Sequence, residues 1–317
     1  METYRIGEII KEERIRKRIS QEELCFGICS VSTLSRIENG TQNPSFKVKE
    51  AILERLGHNT DNLVIYAEDS EIKKHRLENE ILARMVHWQE IDSLLDEYKQ
   101  LIANRGTEEQ LEVQFYKMAE AIQAFYRQMW EWKRVRKQLT EALRITLPGY
   151  QIEQIEDIKL LSGTELQILN NIALTYAKEA ENDKAIRILE FLVRYLEKGK
   201  LNVESPGKYY PLLLYNLVII LDREKRFREI KKFSKKAIEY CTSQSRLTCF
   251  PEHLFYYGKA CHRLSEPAEA EIYYKRSISL FETIGQKQKA EMVRQKLSEL
   301  NGGMGEGEIV FFADQDC

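Results

Sequence analysis

The sequence predicts an all-α protein in two parts, a small N-terminal helical domain followed by a long array of paired helices. Three observations predict it. Leu, Ile, Ala, Glu, Lys and Arg dominate the 317 residues, whereas Gly (15) and Pro (6) are few, a mix that suits helix and offers little for strand hairpins. Apolar residues recur at helical spacing from residue 3 to about residue 300. Isolated Gly and Pro residues punctuate that stretch where one helix has to stop and the next begin. A chain of this length also exceeds one ordinary domain.

The first helix is expected over residues 3–18, with Ile6, Ile9, Ile10 and Ile15 on its apolar positions. Ser20-Gln21-Glu22-Glu23 is a capping box that opens a second helix, which Gly27 ends early. Ser30 or Ser32 can cap a third, Thr33 to Glu38, stopped by Asn39-Gly40. Pro44-Ser45 starts a fourth, Phe46 to Leu56, closed by Gly57. Residues 58–70 read as a short polar connection with one apolar patch, Leu63 to Tyr66, and the boundary of a first domain, 1–66, is placed there.

From Glu71 to about Leu300, breaks at Gly106, Pro148-Gly149, Gly163, Gly199, Pro206-Gly207, Pro251 and Gly285 separate successive helices. Three pairs align with one another at a period of about 40–45 residues. They carry Leu169, Ile172, Ala173, Tyr176, Ala185 and Leu189; then Leu217, Val218, Leu221, Ile230 and Ala237; then Leu254, Tyr257, Gly258, Ala270 and Tyr274. Two weaker pairs precede them, over roughly 72–103 and 108–146. Small residues let the two helices of a pair approach, large ones fill the gap, and stacking buries a continuous core. These spacings resemble the tetratricopeptide (TPR) signature, so a right-handed TPR-like α-solenoid of about five pairs is expected over 67–300. The stripe Phe125, Tyr126, Met129, Trp130 and Trp132 reads as core between helices. Residues 301–317 read as a flexible Gly-rich tail ending in an apolar cluster, Ile309 to Phe312.

The formal net charge is −2, so the chain as a whole is no general polyanion binder and any nucleic-acid affinity has to be local. The six cysteines form no CxxC and no disulfide framework, and they read as reduced thiols; Cys25 and Cys29 lie one turn apart, but Cys25 reads as a small core residue and not as half of a redox pair. The five histidines have no metal-ligand spacing. No P-loop, GxSxG or catalytic carboxylate pair is present, so neither an enzyme nor a cofactor is expected. METYRIGEII is charged and without an apolar core, and no run approaches the roughly 18 apolar residues of a membrane span. A cytoplasmic protein without membrane contact is expected.

The segment ISQEELCFGICSVSTLSRIENG, with the following Asn43-Pro44-Ser45, resembles the XRE class of phage-repressor-type helix-turn-helix domains. The resemblance implies binding of double-stranded DNA, the third helix entering the major groove by its N-terminal end. It places Gln21 on a phosphate and Ser30, Val31 and Ser32 at the tip of the recognition helix. Ser can bond several base edges and Val can meet a thymine methyl. Ser35 and Arg36 lie further along, and Arg36 can reach guanine or phosphate. Arg14 and Glu38 match an internal ion pair of the class. Lys47 and Lys49 stand near the start of the next helix as candidate phosphate contacts, and Arg16 to Arg18 read mainly as a solvated face. Acidic Glu12, Glu13, Glu22 and Glu23 nearly cancel the local basic residues, so a homodimer on a palindromic operator is expected.

A helix-turn-helix followed by TPR-like pairs in about 300 residues resembles the RRNPP family of peptide-pheromone receptors of Gram-positive bacteria. That resemblance implies a quorum-sensing regulator in which a short signalling peptide lies on the inner face of the repeats, its backbone held by Asn side chains. Asn171 in LNNIALTY and Asn216 in YNLVIIL hold equivalent positions on successive pairs, and a carboxamide offers both donor and acceptor. The equivalent residue of the third pair is Tyr256; Gln123, Tyr126, Tyr215 and Tyr257 are further candidates, and Asn170 reads as structural. The alternative is an XRE-type repressor or antitoxin-like regulator whose repeats hold a protein partner. A role in modulating an enzyme fits less well, because family members acting that way lack the helix-turn-helix.

Overall fold

The computed structural model describes residues 6–58, 69–86, 89–103, 109–198, 206–300 and 302. Among them are fifteen α-helices, one 3-10 segment and no strand, so the all-α expectation holds. The described residues divide into two compact units, one ending at residue 198 and one beginning at Pro206. The boundary expected at 66/67, the Leu63–Tyr66 patch and the tail with its Ile309–Phe312 cluster lie outside the described residues.

The first unit opens with α1 (Ile6–Arg16), α2 (Gln21–Cys25), α3 (Val31–Glu38) and α4 (Phe46–Arg55). Ser20 caps α2 through the expected box: its Oγ accepts from the Glu23 N–H at 3.1 Å, and the Ser20 N–H donates to the Glu23 carboxylate at 3.0 Å. Ser30, not Ser32, caps α3, and Ser45 caps α4. Each cap satisfies a backbone N–H that the helix itself leaves without a partner. Ile10, Leu24, Cys25, Leu34, Ile37, Ile52, Leu53 and Leu56 form the shared core. Gly27 adopts φ +68°, a conformation that glycine takes at little steric cost.

The helices that follow in this unit are α5 (Asp69–Val86), α6 (Asp92–Ala103), α7 (Gln110–Tyr126), α8 (Trp132–Arg144), α9 (Gly163–Lys178) and α10 (Asn182–Glu197). A 3-10 segment, Ile152–Asp157, lies between α8 and α9. Buried polar groups pin neighbouring helices: the Gln114 amide donates to Ala142 O at 3.0 Å and to Thr146 Oγ1 at 2.7 Å. The aromatic stripe around residue 125 is core only in part. Phe125 is buried against Trp132, with ring centroids 5.1 Å apart, but Met129 is 58% exposed and Trp130 is half-buried under Arg134. The turn after α7 carries residues 127–129 to the surface, which helical periodicity alone does not foresee.

The second unit holds α11 (Pro206–Arg223), α12 (Phe227–Ser243), α13 (Phe250–Arg263), α14 (Pro267–Thr283) and α15 (Lys287–Leu300). The small-residue logic of the pairs is plain at Gly258. A Cβ there would sit 3.0 Å from the Tyr274 ring and 3.2 Å from Ala270 O, so α13 and α14 approach as closely as they do because position 258 has no side chain. Two buried ion pairs, Lys259–Asp222 at 2.6 Å and Lys289–Glu252 at 3.1 Å, tie alternate helices together, α13 to α11 and α15 to α13. No described helix is long and apolar enough to cross a membrane.

Candidate functional site

The exposed face of α3 is short, polar and free of large aliphatic side chains except one. Ser30, Val31, Ser32 and Arg36 are exposed, Val31 by 44%, and Ser35 is half-buried. Leu34, Ile37 and Glu38 turn the opposite face into the core. Four of the five α3-side candidates therefore stand together at the helix tip and along its first turns. Ser30 has a second duty: its Oγ accepts from the Thr33 N–H at 3.0 Å and lies 2.8 Å from both Ser32 Oγ and Thr33 Oγ1. The tip is thus a small hydroxyl cluster held in place by the cap.

The Arg14–Glu38 pair expected from the XRE resemblance is present and fork-shaped, with Arg14 Nε to Oε1 at 2.6 Å and Nη2 to Oε2 at 2.9 Å. Gln21 joins it, its amide donating to Glu38 Oε2 at 2.8 Å. Against the cost of burial, the hydrogen bonds from Arg14 and Gln21 hold the Glu38 carboxyl below its ordinary range. Gln21, expected at a phosphate, therefore fixes the register of α1, α2 and α3 in this structure.

Lys47 is a correction. Its ammonium lies between Glu50 at 3.1 Å and Glu78 at 2.6 Å, 5.0 Å above the Phe115 ring. It faces the helices that follow, because two carboxylates there compensate the burial of its charge. Neither thiol of the Cys25/Cys29 pair is activated: burial raises both, Cys29 to about 11. Each is predominantly the thiol at neutral pH.

Sequence reasoning missed how firmly the four N-terminal helices are seated on the repeats. Arg55, 1% exposed, donates to Leu24 O at 3.2 Å, to Phe26 O at 2.6 Å and to Glu165 Oε1 at 2.8 Å. Glu165 also belongs to a capping box with Ser162 at the start of α9. Glu54 accepts the Gly163 N–H at 2.9 Å, and Ser45 donates to Glu109 at 2.9 Å. Gly27 lies so close to the Thr146 carbonyl that a Cβ would stand 1.9 Å from its oxygen. Partners more than 60 residues apart leave no periodic trace in a sequence. The one available hint was an Arg on the apolar side of α4.

The repeat-face candidates separate. Asn171, on α9, is 6% exposed; its Nδ2 donates to Gln167 O at 2.9 Å, while its buried Oδ1 has no hydrogen-bond partner. Asn216, 2% exposed, occupies the equivalent position on α11 in the second unit. Gln123 is buried, its amide 3.4 Å from Asp92 Oδ1. Tyr126, half-buried, packs edge-on to Phe125. Tyr256 is a correction: it is fully buried, packed between the rings of Tyr215 and Phe255, so it is a core residue of the second unit. Tyr257 donates to Glu269 at 2.8 Å. Cys261, Glu266 and Glu269 converge within ligand distance, but Lys231 bridges both carboxylates and burial with the Glu269 charge pushes the thiol up to about 12. That set is an ion-pair network.

The helix-turn-helix family profile (HTH_3) matches residues 10–61, the span of α1 to α4. The N-terminal domain is a helix-turn-helix. No curated protein matches the sequence. Among solved structures, Bacillus thuringiensis PlcR in complex with the peptide PapR7 and DNA is 20% identical with a TM-score of 0.55, the likeness covering 93% of this chain and 99% of that one. Apo PlcR gives 20% and 0.56, over 92% and 98%. The apo competence regulator ComR of Streptococcus vestibularis gives 18% and 0.50, over 95% and 98%. The helix-turn-helix and the helical repeats that follow it thus have the fold of these proteins over about nine-tenths of the chain.

Proposed function

We propose that the chain is a cytoplasmic transcription regulator that binds a palindromic operator as a homodimer and is switched by a short signalling peptide held on its repeats. Ser32 and Arg36 of α3 read base edges, with Val31 against a thymine methyl. The observation that carries the reading is the likeness over nine-tenths of both chains to a protein crystallised with a peptide and DNA. Its support within the chain is Asn171, a buried carboxamide whose Oδ1 is an unused acceptor and can take a peptide N–H. A buried acceptor left without a partner is costly, and a ligand removes that cost. Asn216 holds the equivalent helical position in the second unit and is assigned the same chemistry there.

The mechanism is a population shift: the peptide favours one arrangement of the dimer by the difference in its affinity for the two. The test is a mobility shift on the promoter of the protein's own gene, with and without a synthetic peptide from a neighbouring secreted open reading frame. Asn171→Ala and Asn216→Ala are each expected to keep DNA binding and lose the peptide response. Loss of DNA binding in both would assign these residues to folding instead.

A further inference from the structure

Within the first unit, a cavity of about 700 Å³ opens between the helix-turn-helix and the segment joining α8 to α9. Phe26, half-exposed at the end of α2, faces Leu147, Ile158 and Leu160 across it. Two buried donors on its wall lack partners: Arg55 Nε, on a side chain 1% exposed, and the Tyr150 hydroxyl, on a residue 8% exposed. The Arg55 Nε–H can only donate and the phenol donates readily, so each calls for an oxygen acceptor. The wall also fixes the ligand's charge. Arg55 is already neutralised by Glu165 and Lys159 by Glu23, while Glu22 and Asp157 add two more carboxylates. An anion would be repelled.

We propose that this cavity is a second ligand site, distinct from the repeat-face peptide site, taking a neutral, largely apolar ring compound that carries a carbonyl oxygen. Its volume lies within the range of small-molecule sites, which are apolar with a few placed polar groups. The site joins α2 and α4 of the helix-turn-helix to the 147–160 segment, so its occupant braces the same seam that Arg55 crosses.

Gly149 supplies a clean test. It lines the cavity, its φ is ordinary and a Cβ there meets nothing within 4 Å, so Gly149→Trp fills the space without a backbone clash. The probe is 7-(diethylamino)coumarin, a neutral fluorescent aromatic lactone, titrated into the full chain. Wild type is expected to bind one equivalent saturably with a blue shift. Tyr150→Phe, which keeps the ring and removes the donor, is expected to weaken binding at least five-fold, and Gly149→Trp to abolish it. Melting temperatures confirm that the variants fold; if Gly149→Trp melts early, Gly149→Leu replaces it. Asn171→Ala should bind the dye as wild type does, which separates this site from the peptide reading. No saturable binding to wild type, or binding that survives the filled cavity, would overturn the proposal.

Discussion

Arg55 and Glu165 form a buried ion pair at 2.8 Å, each side chain 1% exposed, across 110 residues of sequence. One belongs to the last helix of the helix-turn-helix and the other to the first turn of α9. Both charges are further satisfied, Arg55 by the Leu24 and Phe26 carbonyls and Glu165 by the Ser162 N–H. The helix-turn-helix is therefore keyed to the repeats by groups that cannot separate without exposing or stranding charge.

Replacing one partner should be severe. Arg55→Met leaves the Glu165 carboxylate buried and removes the donor from two carbonyls, at a cost of about 3–5 kcal/mol. Urea denaturation of Arg55→Met, Glu165→Gln and the double variant is expected to give a coupling of at least about 1 kcal/mol, the double variant losing less than the sum. Additive losses would show that the pair does not act as a unit.

Glu54 makes the same seam sensitive to pH. Burial, with the Glu50 charge beside it, pushes its carboxyl up to about 8 from an ordinary 4.5, against the pull of the Gly163 N–H and Lys47. As pH rises the unfolded chain releases this proton first. Glu54 thus removes stability progressively between about pH 4.5 and 8, and the full penalty stands above that range. Glu54→Gln is expected to leave stability unchanged near pH 4 and to raise it by up to about 5 kcal/mol at pH 8.5. Thermal melts at the two pH values check this; an equal effect at both would refute the assignment.

Gly27 and Gly149 offer a matched pair. Alanine at 27 meets both a left-handed backbone and the Thr146 carbonyl, and should cost more than about 2 kcal/mol through strain and displaced packing. Alanine at 149 meets nothing and should stay within about 0.5 kcal/mol of wild type. Chemical denaturation of the two variants is the comparison.

Ser30 and Arg36 should part company in the same assay. Ser30 caps α3, so Ser30→Ala is expected to lower stability by about 1 kcal/mol as well as to weaken DNA binding. Arg36 is exposed, so Arg36→Ala should melt as wild type does and lose about 1–3 kcal/mol of operator affinity. Fluorescence anisotropy with a duplex from the native promoter reads the affinity. Unchanged affinity in Arg36→Ala would remove it from the interface.

Local signals made the fold legible. The Ser20–Glu23 box, the stop at Gly27, the small residues at Ala173, Gly258 and Ala270 and the Arg14–Glu38 pair all lie in short windows or in motifs whose chemistry is self-contained. What escaped were side chains whose partners are remote. Lys47 looked like a phosphate contact because it starts a helix, yet Glu78 claims it. Tyr256 looked like a groove residue by alignment with Asn171 and Asn216, but its neighbours Tyr215 and Phe255 fill the space around it. The seating of the helix-turn-helix through Arg55, Glu54 and Gly27 was invisible for the same reason.

The most direct measurement is the dissociation constant of the full chain for its promoter duplex, with and without the saturating synthetic peptide, in wild type and Asn171→Ala. A peptide-dependent change of at least five-fold in wild type, absent from Asn171→Ala, is the predicted result. A wild-type dissociation constant indifferent to the peptide, with the peptide shown to bind, would contradict control of the helix-turn-helix by the repeats.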